Sequence, residues 1–215
     1  MTKKIGNLHV ITDTVLQSRF SHFELAELAI EGGADTIQFR QKTGSTKEMI
    51  ANSWRIKHIC NKAGVSFIVN DRLDVAIATE ADGVHLGQDD FPIPLARKLL
   101  NENIFIGGSA ASLEEVQICV EEGADYVGFG PVFPTFSKDD AGPVSGIKKL
   151  KEVTDTFPVP IIAIGGITPE NIGEVLEAGA AGIAVISAVC CTEDPKDATQ
   201  KLIEALLRGN TGGPA

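Results

Sequence analysis

Eight short β-forming runs recur along this chain, each separated from the next by a longer stretch with helical patterning. They cover residues 8–12, 36–40, 66–70, 83–87, 105–109, 126–130, 161–165 and 182–187. Most are rich in Val, Ile and Phe and are bounded by Gly, Asp or Asn, as strands are. Alternation of strand and helix implies a parallel sheet with right-handed crossovers, because a parallel neighbour is reached only by crossing over one face. Eight such units in one domain predict a closed ring, a single (β/α)8 TIM barrel. An open doubly wound sheet is the alternative arrangement. Length agrees with the ring: the chain has 215 residues, close to the lower limit of about 200 for such barrels. The expected domain is 1–208. Residues 209–215 carry no large apolar anchor and are expected to form a disordered tail.

Helix punctuation fits this rhythm. Phe23, Leu25, Ala26, Leu28 and Ala29 fall on one helical face, as do Ala198, Leu202, Ile203, Ala205 and Leu206. Thr168-Pro169 and Asp194-Pro195 are expected to open helices, with a capping side chain ahead of a proline. Gly33, Gly64, Gly123 and Gly179 are expected to close helices in the left-handed conformation. A weak repeat precedes alternate strands: Gly33-Ala34-Asp35, Ala81-Asp82-Gly83, Gly123-Ala124-Asp125 and Gly179-Ala180-Ala181. It lies at the strands' starting ends, so it reads as stability chemistry rather than function.

Charge and composition remove several function classes. Nineteen basic and twenty-nine acidic residues give a net charge of −10, which repels nucleic-acid phosphates. The apolar runs reach about half a membrane span, and Gly6, Asn7 and His9 interrupt any signal-like opening. No nucleic-acid or membrane partner is expected. Homo-oligomerisation stays open. Cys60, Cys119, Cys190 and Cys191 form no C-x-x-C pair and read as small core hydrophobes in a reducing cytoplasm. Trp54 reads as a helix-packing residue.

In a β/α barrel the active site lies at the strands' C-terminal ends, so the residues there carry the functional reading. Gln38, Arg40 and Lys42 are spaced by two and share one side of their strand, with Ile37 and Phe39 on the other. Three polar groups converging inside a barrel are costly without a ligand. Asp71 and Asp90 follow adjacent strands and can reach one cation. Two hard oxygen ligands without a His or Cys partner point to Mg²⁺, which keeps waters and shares substrate phosphates. Alternation should turn Asp89 away from whatever Asp90 faces. Gly165-Gly166 and Ser187 follow the seventh and eighth strands, where such barrels cradle phosphate on backbone N–H groups. The loop 131–143 is long enough to be functional and carries Thr135, Ser137 and Lys138, with Gly142 and Gly146 as hinges; a mobile lid is expected. His85 reads as a packed, hydrogen-bonded residue.

Five of these segments, in order, resemble the thiamine-phosphate synthase family: Gln38-Phe39-Arg40-Gln41-Lys42, Val69-Asn70-Asp71-Arg72, Gly83 to Asp90, Gly130 to Lys138, and Ala163-Ile164-Gly165-Gly166-Ile167. The likeness spans the first strand to the eighth. It implies a barrel enzyme that joins hydroxymethylpyrimidine diphosphate to thiazole phosphate and releases diphosphate. By this resemblance Gln38, Phe39, Arg40, Gln41, Lys42, Asn70, Ser109 and Lys138 hold the pyrimidine diphosphate. Asp71 and Asp90 bind Mg²⁺, and Thr135, Phe136, Ser137, Gly166, Ile186 and Ser187 hold the thiazole phosphate. Arg40, Lys42, Lys138 and Ser109 form the implied catalytic set. Diphosphate leaves readily once cations neutralise its charge, and the aminopyrimidine can stabilise the methylene cation left behind. Two other functions remain: the related thiazole tautomerases, and a non-catalytic phosphate-metabolite binding protein. The tautomerases rely on a His just after the fifth strand, where this chain has Ser109-Ala110-Ala111-Ser112. Many synthases also carry that His, and they usually carry Thr where Ser137 stands.

Overall fold

A computed structural model describes residues 4–137 and 142–210. All eight expected strands form: β1 (Leu8–Thr12), β2 (Thr36–Phe39), β3 (Ser66–Asn70), β4 (Gly83–Leu86), β5 (Phe105–Ala110), β6 (Tyr126–Phe129), β7 (Ile161–Ile164) and β8 (Gly182–Val185). Each pairs in parallel with the next, and β1 pairs with β8 to close the ring. The open-sheet alternative is thereby excluded. Between the strands run α1 (His22–Glu31), α2 (Thr46–Ala63), α3 (Leu73–Ala78), α4 (Ile93–Leu99), α5 (Leu113–Glu121), α6 (Gly146–Thr156) and α7 (Ile172–Glu177). After β8 come the short α8 (Ser187–Cys190) and the long α9 (Pro195–Asn210). The last helix includes residues 209 and 210, so helix continues past the expected boundary at 208; residues 211–215 of the expected tail lie outside the described residues.

Strand alternation sorts the core into two layers. Val10, Ile37, Phe67, Val69, Val84, Ile106, Val127 and Ile183 face outward and pack under the helices. Ile11, Ile68, Tyr126, Ile162, Ala184 and Ile186 fill the barrel. Inside, β5 carries Gly107 where its neighbours carry His85 and Tyr126 at the same level. A Cβ on Gly107 would stand 2.2 Å from the Tyr126 ring and 2.5 Å from His85 Nδ1. The glycine is the gap that lets two rings share one cross-section of a narrow barrel.

The repeat before alternate strands has a clear structural role. The Asp35 carboxylate accepts the N–H of Leu8, Asp82 that of Phe67, and Asp125 that of Ile106, each within 2.7–2.9 Å. Each aspartate thus fastens the start of the strand before its own. Lys57 and Arg97 pair with Asp82 and Asp125. The fourth copy has Ala181 where the others have the aspartate, and the Asn7 amide donates to its carbonyl at 2.6 Å.

Gly33, Gly64, Gly123 and Gly179 all have positive φ, as expected at helix ends. Asp194 caps α9 through the N–H of Asp197. Thr168-Pro169, however, opens a turn, and α7 begins only at Ile172; Asn171 bonds back to Gly166 and Thr168, which holds the chain in a loop for one more turn. Cys60, Cys119 and Cys190 are buried and form no disulfide, but Cys191 is exposed beyond α8. Trp54 is 47% exposed, on the outer face of α2 rather than in the core.

Candidate active site

A cavity of about 730 Å³ opens at the C-terminal end of the barrel. One side holds Gln38, Lys42, Asp71, Asp89, Asp90, His85 and Ser109. The other holds Thr135, Ser137, Gly165, Gly166, Ile186 and Ser187. Residues that are far apart in sequence therefore line one cavity.

The acidic side is built from the turns after β3 and β4. Asp71 has φ +63°, a left-handed conformation that aspartate tolerates better than most residues. Its N–H donates to the His85 carbonyl at 2.8 Å, which ties the turn to β4. Asp90 accepts the Gly87 N–H at 2.6 Å. Burial raises the Asp90 pKa, and the neighbouring Asp71 charge raises it further, against the Gly87 hydrogen bond and Lys42. Lys42 Nζ lies 2.5 Å from Asp71 Oδ2. A carboxylate whose ionisation is made costlier by burial and by a neighbouring carboxylate suits a site where the two share a cation. Among the described residues no group of three or more His, Cys, Asp or Glu could hold a metal, so such an ion would draw its other ligands from water and substrate. Asp89 also lines the cavity. Strand alternation misplaces it because residues 88–90 form a turn in which the period of two no longer applies.

Arg40 shares the side of its strand with Gln38, yet its guanidinium turns to Asp13 rather than forming part of the cavity wall. Asn70 is buried, and its Oδ1 has no hydrogen-bond partner among the described residues. Phe39 packs outward against the helices, and Gln41 binds the Thr43 carbonyl, Glu48 and Asn52 near the start of α2. Ser109 accepts or donates with His85 Nε2 at 2.9 Å, and His85 Nδ1 meets the Tyr126 hydroxyl at 3.1 Å. His85 is thus the packed, hydrogen-bonded residue expected, and it also reaches the cavity.

The opposite side joins three loops. Val132 and Phe133 continue β6 alongside β7 through the carbonyls of Ile164 and Gly165. Gly165 and Gly166 have φ +98° and +64°, and a Cβ on Gly166 would collide with the Pro134 carbonyl at 2.4 Å. Ser137 bonds the Ser187 hydroxyl at 2.9 Å, joining the long loop to the end of β8. Phe136, by contrast, is 94% exposed and does not line the cavity. Lys138 lies outside the described residues. Ala110 and Ala111 also line the cavity.

Known proteins resemble the whole of this arrangement. A sequence profile described as Thiamine monophosphate synthase matches residues 8–189. The chain belongs to this family. A thiamine-phosphate synthase from Salinibacter ruber is 50% identical over 209 residues, covering 96% of this chain and 92% of that one. One from Methanocella arvoryzae is 50% identical over 196 residues, covering 91% and 92%. The solved structure of a thiamine phosphate pyrophosphorylase from Pyrococcus furiosus superposes with a TM-score of 0.87 at 41% identity, covering 94% of this chain and 96% of that one.

Tyr126, Glu115 and Thr168 also line the cavity; no sequence signal marks the first two, and Thr168 reads from sequence only as a helix-opening residue. Asp13 was visible directly after the first strand, but nothing in its neighbours marked it as a partner of Arg40.

Proposed function

We propose that this member of the family is a transferase that condenses 4-amino-2-methyl-5-hydroxymethylpyrimidine diphosphate with thiazole phosphate, giving thiamine phosphate and diphosphate. The observation that carries the reading is a single cavity with Lys42, Asp71 and Asp90 on one side and Thr135, Ser137, Gly166 and Ser187 on the other. One anion site faces another across a space sized for small ligands. In the reaction, the bond from the pyrimidine methylene to the diphosphate oxygen breaks, and a bond to the thiazole nitrogen forms.

Gln38 and Asn70 are buried polar side chains, suited to the donors and acceptors of an aminopyrimidine ring. Lys42, Arg40 and Lys138 supply positive charge for the departing diphosphate, and Ser109, oriented by His85, supplies a hydroxyl beside it. Asp71 and Asp90 would hold Mg²⁺, which would neutralise diphosphate charge as it leaves. The Ser137 and Ser187 hydroxyls and the backbone at Gly166 hold the thiazole phosphate. Departure of the leaving group runs ahead of attack, so the protein's part is placement and charge rather than proton abstraction. Four cysteines that form no disulfide support action in the cytoplasm, and no described helix is long and apolar enough to cross a membrane.

The test mixes both substrates with Mg²⁺ and measures thiamine phosphate, with EDTA as the control. Product that depends on Mg²⁺ is expected. Absence of product rejects the synthase, and equal product in EDTA rejects the metal. Isomerisation of thiazole phosphate without the pyrimidine would indicate a tautomerase instead, and tight ligand binding without turnover a binding protein.

A further inference from the structure

Asp13 and Arg40 follow β1 and β2, whose last register pair is Thr12 with Phe39, so the two residues stand side by side at the next level. Arg40 Nη1 donates to Asp13 Oδ2. The N–H groups of Val15 and Leu16 donate to Asp13 Oδ1 at 2.8 and 3.2 Å. Both carboxylate oxygens are engaged, and the Asp13 side chain is only 1% exposed. The turn that carries it is also fixed. Gln17 bonds the carbonyls of Asp13 and Phe20. Arg19 bonds those of Cys191 and Thr192 beyond α8. His22 bridges the Thr12 and Thr14 hydroxyls and packs edge-on against Phe39.

The two cations of this strand end are therefore held differently. Lys42 pairs with Asp71 at a half-exposed position, whereas Arg40 is clamped in the protein. A free guanidinium samples many rotamers, and an anion must order it on binding. A clamped one is already in place.

We infer that Asp13 is the positioning residue for Arg40: neither side chain is part of the cavity wall, and while Asp13 holds one Nη, the buried Arg40 Nε has no hydrogen-bond partner among the described residues and is the donor left for the diphosphate. The inference rests on Arg40 binding diphosphate, as in the proposed function. Its sign distinguishes it from simple electrostatics. Asp13 is negative, so charge alone predicts that neutralising it strengthens anion binding. Positioning predicts the opposite.

Calorimetric titration of inorganic diphosphate with Mg²⁺ tests this on the wild type, Asp13→Asn, Arg40→Gln and the double variant. Asp13→Asn is expected to weaken diphosphate by roughly tenfold, the scale of one charge-assisted hydrogen bond. The KM for thiazole phosphate stays unchanged, and the double variant binds no more weakly than Arg40→Gln alone. Wild-type or tighter binding by Asp13→Asn overturns the inference, as do losses that multiply in the double variant. Wild-type affinity in Arg40→Gln rejects the role of Arg40 itself, and the inference with it. If Asp13→Asn does not fold, Asp13→Glu keeps the charge and displaces the carboxylate by one methylene. Weakened binding is then expected, and wild-type affinity overturns the inference.

Discussion

Single side chains set the strand starts. Asp82 takes the Phe67 N–H at 2.8 Å and the Lys57 ammonium at 2.6 Å, and Lys57 is only 8% exposed. Asp82→Ala would leave a buried cation and a strand N–H without this acceptor. A loss of about 2–4 kcal/mol is expected, read as a lower urea midpoint; a change under about 0.5 kcal/mol, the scale of an ordinary surface substitution, would reject the clamp. Two histidines give stability a pH dependence. Burial lowers the pKa of His9 and of His22 from 6.5 to about 4, so the folded state excludes protons that the unfolded chain accepts. Their contribution is complete above about pH 6.5 and is lost as pH falls toward about 4, by up to about 3 kcal/mol each. Both imidazoles should remain neutral at pH 5 in an NMR titration, and titration near 6.5 would contradict this. The paired role of Asp82 was partly legible, because its motif recurs before other strands. The state of the histidines was not, since burial of His9 depends on the closed ring around it.

At the level of strands and loops, alternation carried most of the reading. Gln38 points inward while Ile37 and Phe39 pack under helices, as a period of two requires. The rule fails where a strand ends: Asp89 joins Asp90 in the cavity wall because both lie in a turn. It is also silent on how neighbouring strands fit. Gly107 looks like any strand glycine, but it stands between His85 and Tyr126. Gly107→Ala is expected to cost about 1–3 kcal/mol, as overpacking does, and to shift the near-ultraviolet signal of Tyr126, the chain's one tyrosine. Unchanged stability would show that the rings can move apart. The loop after β6 shows the same limit. Its length marked it as functional, but the contact of Ser137 with Ser187 depends on where β8 ends, fifty residues later.

For the molecule as a whole, closure is the decisive event. β1 meets β8, and α9 packs against α1 and α7 over the seam. Leu202 is fully buried in that packing. Leu202→Ala is expected to destabilise by about 2–5 kcal/mol while leaving turnover per folded molecule unchanged, because Leu202 does not line the cavity. Altered KM in a folded variant would show that the seam and the site are coupled. The net charge of −10 belongs to this scale too: the overall field repels anions, so the proposed substrates would depend on placed groups such as Lys42. By itself the sequence determined the eight units, their inward and outward faces, the glycine helix ends and the acidic strand starts. These follow from local periodicity and backbone conformation, which neighbouring residues dictate. Only the tertiary structure decided that Asp13 clamps Arg40, that Asp71 stands close enough to Asp90 to raise its cost of ionisation, and that Ser137 reaches Ser187. Each of these depends on which residues ring closure brings to the same height, and sequence spacing does not carry that distance.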